Sequence, residues 1–310
     1  MKPEILFMTP AFKQPIWGGE RLKTEWNYDV PGEHTGECWG IAAHPNGSSI
    51  VKGGEYDGIS LSQLWDTHKD LFGNSTKERF PLLVKIIDPA KDLSIQVHPA
   101  DEYAMEHENG SFGKTECWYV LDAPRGASLV LGHNADDREE LSKMIHEKRW
   151  GDFIREIPVK KGDFIQIEPG TVHAIKGGIQ VLETQQNSDI TYRVYDYDRL
   201  SDGKPRQLHV DQSIDVIKIP SPWDIIKSVD SLPINQLNEL ISCSKYTVWK
   251  LDVDGTMDFE MNEKYMLMSV VDGEGTIDGK HIKKGDHFIL PFGYGMTNLS
   301  GKMTIIASAE

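Results

Sequence analysis

Three short strand-like segments hold the residue types that bind divalent metals: Leu93-Ser-Ile-Gln-Val-His-Pro99, Gly113-Lys-Thr-Glu-Cys-Trp118 and Glu168-Pro-Gly-Thr-Val-His173. The candidate ligands are Gln96, His98, Glu116 and His173. Side chains two apart on a strand share a face, so Gln96 and His98 point into one space while Ile95 and Val97 turn toward core. Two neutral imidazoles, one carboxylate and one amide oxygen suit a borderline cation such as zinc, and so few anionic ligands leave the metal Lewis acidic. That favours a catalytic site over a closed structural one. A lone histidine on a strand is most often a packed core residue; the conjunction of His98 with Gln96, Glu116 and the Pro-Gly-x-x-His turn carries the reading.

Other residues add to this chemistry. Lys114 lies two before Glu116 on a predicted strand, hence on the ligand face, where it is a candidate for proton transfer. The apolar run Phe80-Pro-Leu-Leu-Val-Lys-Ile-Ile87 reads as a buried strand with one internal charge, Lys85, which either snorkels or serves a function. Cys117, beside Glu116, alternates away from the ligand face into apolar packing. His107, His133, His146 and His209 fall outside these motifs and read as surface or structural residues.

The elements that must position these groups are mostly short β segments punctuated by Gly, Pro, Asn and Asp. Helices are expected over Ser60 to Phe72, Asp101 to Glu108 and Asp136 to Trp150, the last capped by Asp136 with Glu139 closing a capping box. All three have polar faces and would decorate a β core. An internal repeat sets the architecture: Lys160-Lys-Gly-Asp-Phe-Ile-Gln-Ile-Glu-Pro-Gly-Thr-Val-His173 aligns without a gap with Lys283-Lys-Gly-Asp-His-Phe-Ile-Leu-Pro-Phe-Gly-Tyr-Gly-Met296. In each copy a Gly-Asp turn launches a strand and a later Gly turns the chain back. This pattern implies a mainly β protein of two cupin-type jelly-roll barrels with a few decorating helices. His173 in the first copy is Met296 in the second, so the C-terminal barrel would be degenerate and lack the metal. The expected division is a metal-bearing N-terminal domain over 1–220, a proline-flanked joint over 221–242 and a C-terminal barrel over 243–310.

At 310 residues the chain is long enough for roughly two domains. The balance of 33 basic against 48 acidic residues, net −15, argues against nucleic acid or an anionic membrane as a partner. Cys38, Cys117 and Cys243 form an odd set without a close pair, which fits a reducing compartment better than a disulfide framework. The N-terminal residues lack the apolar core of a signal peptide and no run is long enough to span a bilayer, so a cytoplasmic location is expected. Nothing in the sequence sets an oligomeric state.

Taken in order, Trp17-Gly-Gly19, Phe80-Pro-Leu-Leu83, Ser94-Ile-Gln-Val-His-Pro99, Gly113-Lys-Thr-Glu-Cys-Trp118, Gly170-Thr-Val-His173 and Gln185-Gln-Asn-Ser-Asp-Ile-Thr-Tyr-Arg-Val-Tyr-Asp198 resemble the motifs of type I mannose-6-phosphate isomerases, in their short bacterial form. The resemblance spans essentially the whole chain, without the helical insertion that long members carry between the glutamate and second histidine ligands. It implies one zinc ion bound by Gln96, His98, Glu116 and His173, a catalytic Arg193, and active-site roles for Lys114 and Glu183. The implied substrate is a phosphosugar: mannose 6-phosphate and fructose 6-phosphate exchange a proton between C2 and C1 through an enediol.

That reaction needs a base for the carbon proton, an electrophile for the developing oxyanion and a grip on the phosphate. Lys114, Glu183 and a metal-bound water are all candidate bases. Lys85, Arg193 and Ser94 are candidates for holding the phosphate, although Arg193 could equally pair with Asp196 or Asp198 in a loop. Trp17 reads as a wall of the substrate pocket or, equally, as a core tryptophan beside a turn. Two other classes compete. An iron-dependent cupin oxygenase would more typically show a third histidine where Gln96 stands, and a non-enzymatic sugar-binding cupin would need neither Arg193 nor Lys114 beside the metal set.

Overall fold

The computed structural model describes residues 2–201, 203–222 and 226–310. Two sheets face each other in the N-terminal part. One runs Ile226–Ser228, Asp163–Ile167, Glu116–Asp122, Gln180–Gln186, Leu82–Ile87, Glu37–Ile41 and Ala11–Lys13. The other runs Ile154–Pro158, Ser128–His133, His173–Ala174, Ile95–Val97 and Tyr192–Tyr195. Alternate residues of both sheets, among them Ile87, Trp118, Val120, Leu131, Ile165 and Val181, meet in the apolar layer between them.

The outward faces of these sheets are covered as well, which is why their strands read as nearly continuous apolar runs. Ile95 and Val97 turn away from the interior and pack with Leu141, Met144 and Ile145 of the helix Arg138–His146. On the opposite side Val84, Ile86, Cys117, Tyr119 and Leu182 pack against Leu6, Val248, Leu267, Ile289 and Ile306 of a third, eight-stranded sheet. Cys117 therefore takes the apolar position that alternation assigns to it. The third sheet coils round a core of its own, including Leu251, Met257, Met268, Ile277, Phe288 and Ile305. The architecture is mainly β, two cupin-type jelly rolls back to back.

The third sheet draws strands from both ends of the chain: Leu6–Thr9 pairs with His287–Leu290 on one side and with Ile50–Val51 on the other. The expected joint supplies Ile226–Ser228 to the first jelly roll, where it pairs with Asp163–Ile167. Residues 223–225 of that joint lie outside the described residues.

The repeat is visible in three dimensions. Gly162 and Gly285 both adopt left-handed backbone, at φ 86° and 94°, and so do Gly170 and Gly293, at 85° and 75°. Each Gly-Asp turn is closed alike: Asp163 Oδ2 accepts from the Lys160 amide at 2.9 Å, and Asp286 Oδ2 from the Lys283 amide at 2.8 Å. The copies diverge at the ligand position. His173 is fully buried, whereas Met296 is 59% exposed.

Helices form close to where the caps point. Ser60 accepts from the Gln63 amide and starts Leu61–Thr67, which yields after His68 to a short 3₁₀ turn, Lys69–Phe72. Asp101–His107 forms as expected. In the third helix the cap is Asp137 rather than Asp136: Asp137 Oδ1 accepts from the Glu140 amide at 2.8 Å, and it is Glu140, not Glu139, that reaches back, to the Asp136 amide. Two adjacent aspartates allow either register, and burial of Leu141 and Ile145 against the sheet selects this one.

Candidate active site

The five-stranded sheet supplies Gln96, His173 and Arg193 side by side, since His173 pairs with Gln96 on one flank and Arg193 pairs with it on the other. The seven-stranded sheet supplies Glu116, Glu183 and Lys85 from three adjacent strands: Glu183 lies opposite Lys85 on one side and opposite Trp118 on the other. Cross-strand partners share a face. Both sets consequently project into the space between the two sheets, and His98 enters it from just beyond the strand Ile95–Val97.

Ligand-type atoms of His98, Glu116 and His173 all lie within 4.8 Å of one another. His98 Nε2 is 3.5 Å from Glu116 Oε2, and His173 Nε2 is 3.4 Å from Glu116 Oε1. Gln96 Nε2 approaches His173 Nε2 at 3.2 Å, and Ser94 Oγ donates to Gln96 Oε1 at 3.3 Å. Each imidazole is oriented by a backbone carbonyl: His98 Nδ1 donates to Ile190 O at 2.7 Å and His173 Nδ1 to Thr171 O at 2.9 Å. These bonds place the proton on Nδ1 and turn both Nε2 lone pairs inward, as metal-ligating histidines require.

Electrostatics agree with that arrangement. Burial, followed by the nearby Lys114 ammonium, lowers His98 to about 3, and burial lowers His173 too, so both rings are neutral near pH 7. Burial opposes the charge on Glu116, but Lys114, His98 and His173 outweigh it and hold the carboxyl well below its ordinary range. Glu116 Oε1 is fully buried and has no hydrogen-bond partner among the described residues. A buried anionic oxygen left unpaired between two inward-facing imidazoles is what a bound cation would satisfy.

Next to this cluster lies an acid–base group. Lys114 sits just before the strand Glu116–Asp122, yet its ammonium still bonds Glu116 Oε2 and lies 3.0 Å from Glu183 Oε1 and 3.2 Å from His98 Nε2. Glu183 Oε2 accepts from the Trp118 indole at 3.2 Å, and Lys85 Nζ stands 3.4 Å from Glu183 Oε1 and 3.7 Å from Glu37 Oε2. Burial and then the neighbouring Glu116 raise the Glu183 carboxyl, with Lys114 and Lys85 acting against them. Lys85 is raised, because Glu183, Glu37 and Glu116 together outweigh its burial.

Arg193 Nε is buried without a hydrogen-bond partner among the described residues. The loop ion pair that competed for Arg193 is not formed with Asp196, which is held instead by Arg199 and Arg206. Trp17, 5% exposed, is in the apolar cluster with Ile87, Leu93 and Trp118. Sequence reasoning missed Trp118 and Glu37. Trp118 was within reach, being two residues past Glu116 on the same strand face; no local signal marks Glu37 as the partner of Lys85.

Inward ligand-type atoms, an orphaned carboxylate oxygen and a buried lysine–glutamate pair within one jelly roll define an enzyme of the cupin type with a candidate cation site. Comparison with known proteins narrows the class. Residues 5–120 match the family model for the phosphomannose isomerase type I catalytic domain, and residues 236–310 match the mannose-6-phosphate isomerase cupin domain. A mannose-6-phosphate isomerase of Bacillus subtilis (strain 168) is 47% identical across 99% of both chains, and one from Streptococcus mutans is 47% identical across 98% of both. The crystal structure of the mannose 6-phosphate isomerase from Bacillus subtilis superposes with a TM-score of 0.92 at 41% identity over 99% of this chain and 100% of that one. A phosphomannose isomerase variant from Salmonella typhimurium shares the fold at 15% identity, with a TM-score of 0.79. The chain belongs to the type I phosphomannose isomerase family and is an isomerase.

Proposed function

We propose that this isomerase interconverts mannose 6-phosphate and fructose 6-phosphate in the cytoplasm, using one zinc ion and an enediol intermediate. The observation that carries the reading is the convergence of His98, Glu116 and His173 on the Lys114–Glu183 pair inside one sheet pair. Its support is the donor set itself and the family to which the chain belongs.

His98 and His173 would hold the ion through Nε2, Glu116 through its carboxylate and Gln96 through its amide oxygen, with the amide turned over from the orientation that sets Nε2 against His173. When bound, zinc supplies a Lewis acid next to the sugar's C1 and C2 oxygens. Glu183, whose carboxyl is raised by burial, takes the proton from C2 and returns it to C1, because a base with a raised pKa works closer to neutral pH. Lys114 bonds the Glu183 carboxylate and stays within reach of an enediol oxygen. Arg193, with an unpaired Nε, meets an oxyanion or the phosphate; Lys85 adds positive charge, Ser94 steadies Gln96, and Trp17 backs the wall of the pocket. All four ligands fall within 1–220, which supports assigning that stretch the metal. The 221–242 joint and the 243–310 degenerate barrel hold only loosely, since Ile226–Ser228 joins the first jelly roll and Leu6–Thr9, Ile50–Val51 and Asn238–Ser242 join the third sheet.

The test is a coupled assay of purified protein with mannose 6-phosphate, run with and without dioxygen, after chelation and after zinc is restored. Chelator-sensitive, zinc-restored turnover without dioxygen is expected. An oxygen requirement would favour the oxygenase, and binding without turnover would favour the sugar-binding reading.

A further inference from the structure

The C-terminal jelly roll has Met296 where the first has His173, yet two of its residues reach the segments that flank the strand bearing Glu116. Lys245, in the turn between the strands Asn238–Ser242 and Thr247–Met261, pairs with Asp101 Oδ2. Its neighbour Tyr246 donates to Gln166 Oε1 at 3.1 Å, and Gln166 is the ladder partner of Cys117. We propose that Asp101 is a positioning residue for Lys114 and Glu116, and that Lys245 of the second jelly roll holds Asp101 to that task.

The geometry is a clamp on three consecutive amides. Asp101 Oδ1 accepts from the Gly113 amide at 2.8 Å. The Lys114 amide donates to Pro99 O at 3.0 Å, directly beyond His98. The Thr115 amide donates to Gln186 Oε1 at 2.9 Å, and Gln186 Nε2 donates back to Asp101 Oδ1 at 3.0 Å. Every residue leading into Glu116 is thus tied to the segment that follows His98 or to the strand that carries Glu183. A Cβ at Gly113 would come within 2.4 Å of the Ala100 backbone, so the two segments are in direct contact and a shift of either is felt by the other. One carboxylate thereby sets where the Lys114 ammonium and the Glu116 carboxylate stand relative to His98. Lys245 neutralises and orients that carboxylate from the second jelly roll, which gives a metal-free barrel a part in the chemistry of the first. A single partly solvated ion pair of this kind contributes little to folding by itself, so its effect belongs to placement.

This inference rests on the proposed zinc site. The experiment uses the full chain as wild type, Asp101→Ala, Lys245→Met, Lys245→Arg and the Asp101→Ala/Lys245→Met double variant. For each, zinc affinity of the metal-free protein is measured by competition with a chelating dye, together with kcat, KM and the thermal midpoint. Asp101→Ala is expected to weaken zinc binding and lower kcat by about tenfold or more, with KM changed by less than about twofold. Lys245→Met moves both in the same direction by a smaller factor, Lys245→Arg restores them, and the double variant matches Asp101→Ala. Variants that lower the thermal midpoint while zinc affinity and kcat stay at wild-type values overturn the positioning role, as does a double variant in which the two losses multiply. Should Asp101→Ala fail to fold, Lys245→Met and its arginine rescue decide the matter. A wild-type chain that binds no zinc overturns the proposed function and this inference together; a zinc-binding wild type with indifferent variants overturns only the inference.

Discussion

Glu183 Oε1 accepts from the Lys114 ammonium at 3.0 Å across 69 residues of chain, and both side chains are buried. The same ammonium bonds Glu116, so one cation links a candidate metal ligand to the candidate base. Replacing Glu183 with Gln keeps the shape and an acceptor for Lys114 but removes the basic carboxylate. In the proposed mechanism kcat for mannose 6-phosphate then falls about 10²–10⁴-fold, while zinc content, measured by elemental analysis of the purified variant, stays at the wild-type level.

Lys85 tests how the Glu183 carboxyl is tuned. Its ammonium favours the ionised carboxylate, so Lys85→Met removes a cause that lowers the Glu183 pKa and lets burial raise it further. If Glu183 works as the ionised base, activity in the variant is lost at a higher pH as the medium is acidified. The acid limb of a kcat/KM profile should move up. A limb that stays in place or moves down would remove Glu183 from the base's role.

Metal removal should act on stability as well as turnover. A ligand that binds only the folded state stabilises it by about 2.7 kcal/mol at a hundredfold excess over its Kd. Chelation should accordingly lower the thermal midpoint, and returning zinc should restore it. Glu116→Gln, which trades the anionic ligand for a neutral one, should abolish most of the zinc-dependent shift in the same melting experiment.

A pH effect unrelated to the metal is expected at His287, buried between the jelly rolls, where Ser269 Oγ lies 2.8 Å from Nδ1 and Tyr28 Oη lies 2.9 Å from Nε2. Burial pushes this imidazole down to about 4. The folded value is below the unfolded value of about 6.5, so in that window the unfolded chain binds the extra proton. The contribution of the neutral ring is complete above about pH 6.5 and diminishes as the pH falls toward 4, by on the order of 3 kcal/mol in all. Urea unfolding of wild type and His287→Gln across this range should show a shallower pH slope in the variant. Parallel slopes would contradict the assignment.

The repeat can be probed at the position where its copies diverge. Met296 is 59% exposed, while its counterpart His173 is fully buried among the candidate ligands. Met296→His should therefore leave zinc stoichiometry unchanged in an equilibrium titration, because a lone imidazole at the surface lacks converging partners.

The chemistry of the site was legible in the sequence wherever spacing fixed a face. The placement of Gln96 away from Ile95 and Val97, the burial of Cys117, and the matched turns at Gly162 and Gly285 all follow from alternation and from backbone conformations that glycine tolerates best. A two-residue period is a local property, and it is expressed whatever the strand's neighbours are. The caps at Ser60 and near Asp137 are local in the same way, and the one-residue error there arose where two aspartates stand together.

Which strands lie side by side was decided only in three dimensions. Alternation turns Glu183, Lys85 and Trp118 toward a face but does not say that their strands adjoin, and nothing near Leu6–Thr9 announces that it pairs with His287–Leu290. Neighbours far apart in the chain are selected by the joint burial of several apolar layers and by ladder hydrogen bonds, terms that depend on the whole fold. The residue types able to bind a cation and move a proton are thus written in the sequence; their convergence, the partners that tune Glu183, and the hold of Lys245 on Asp101 are products of tertiary packing.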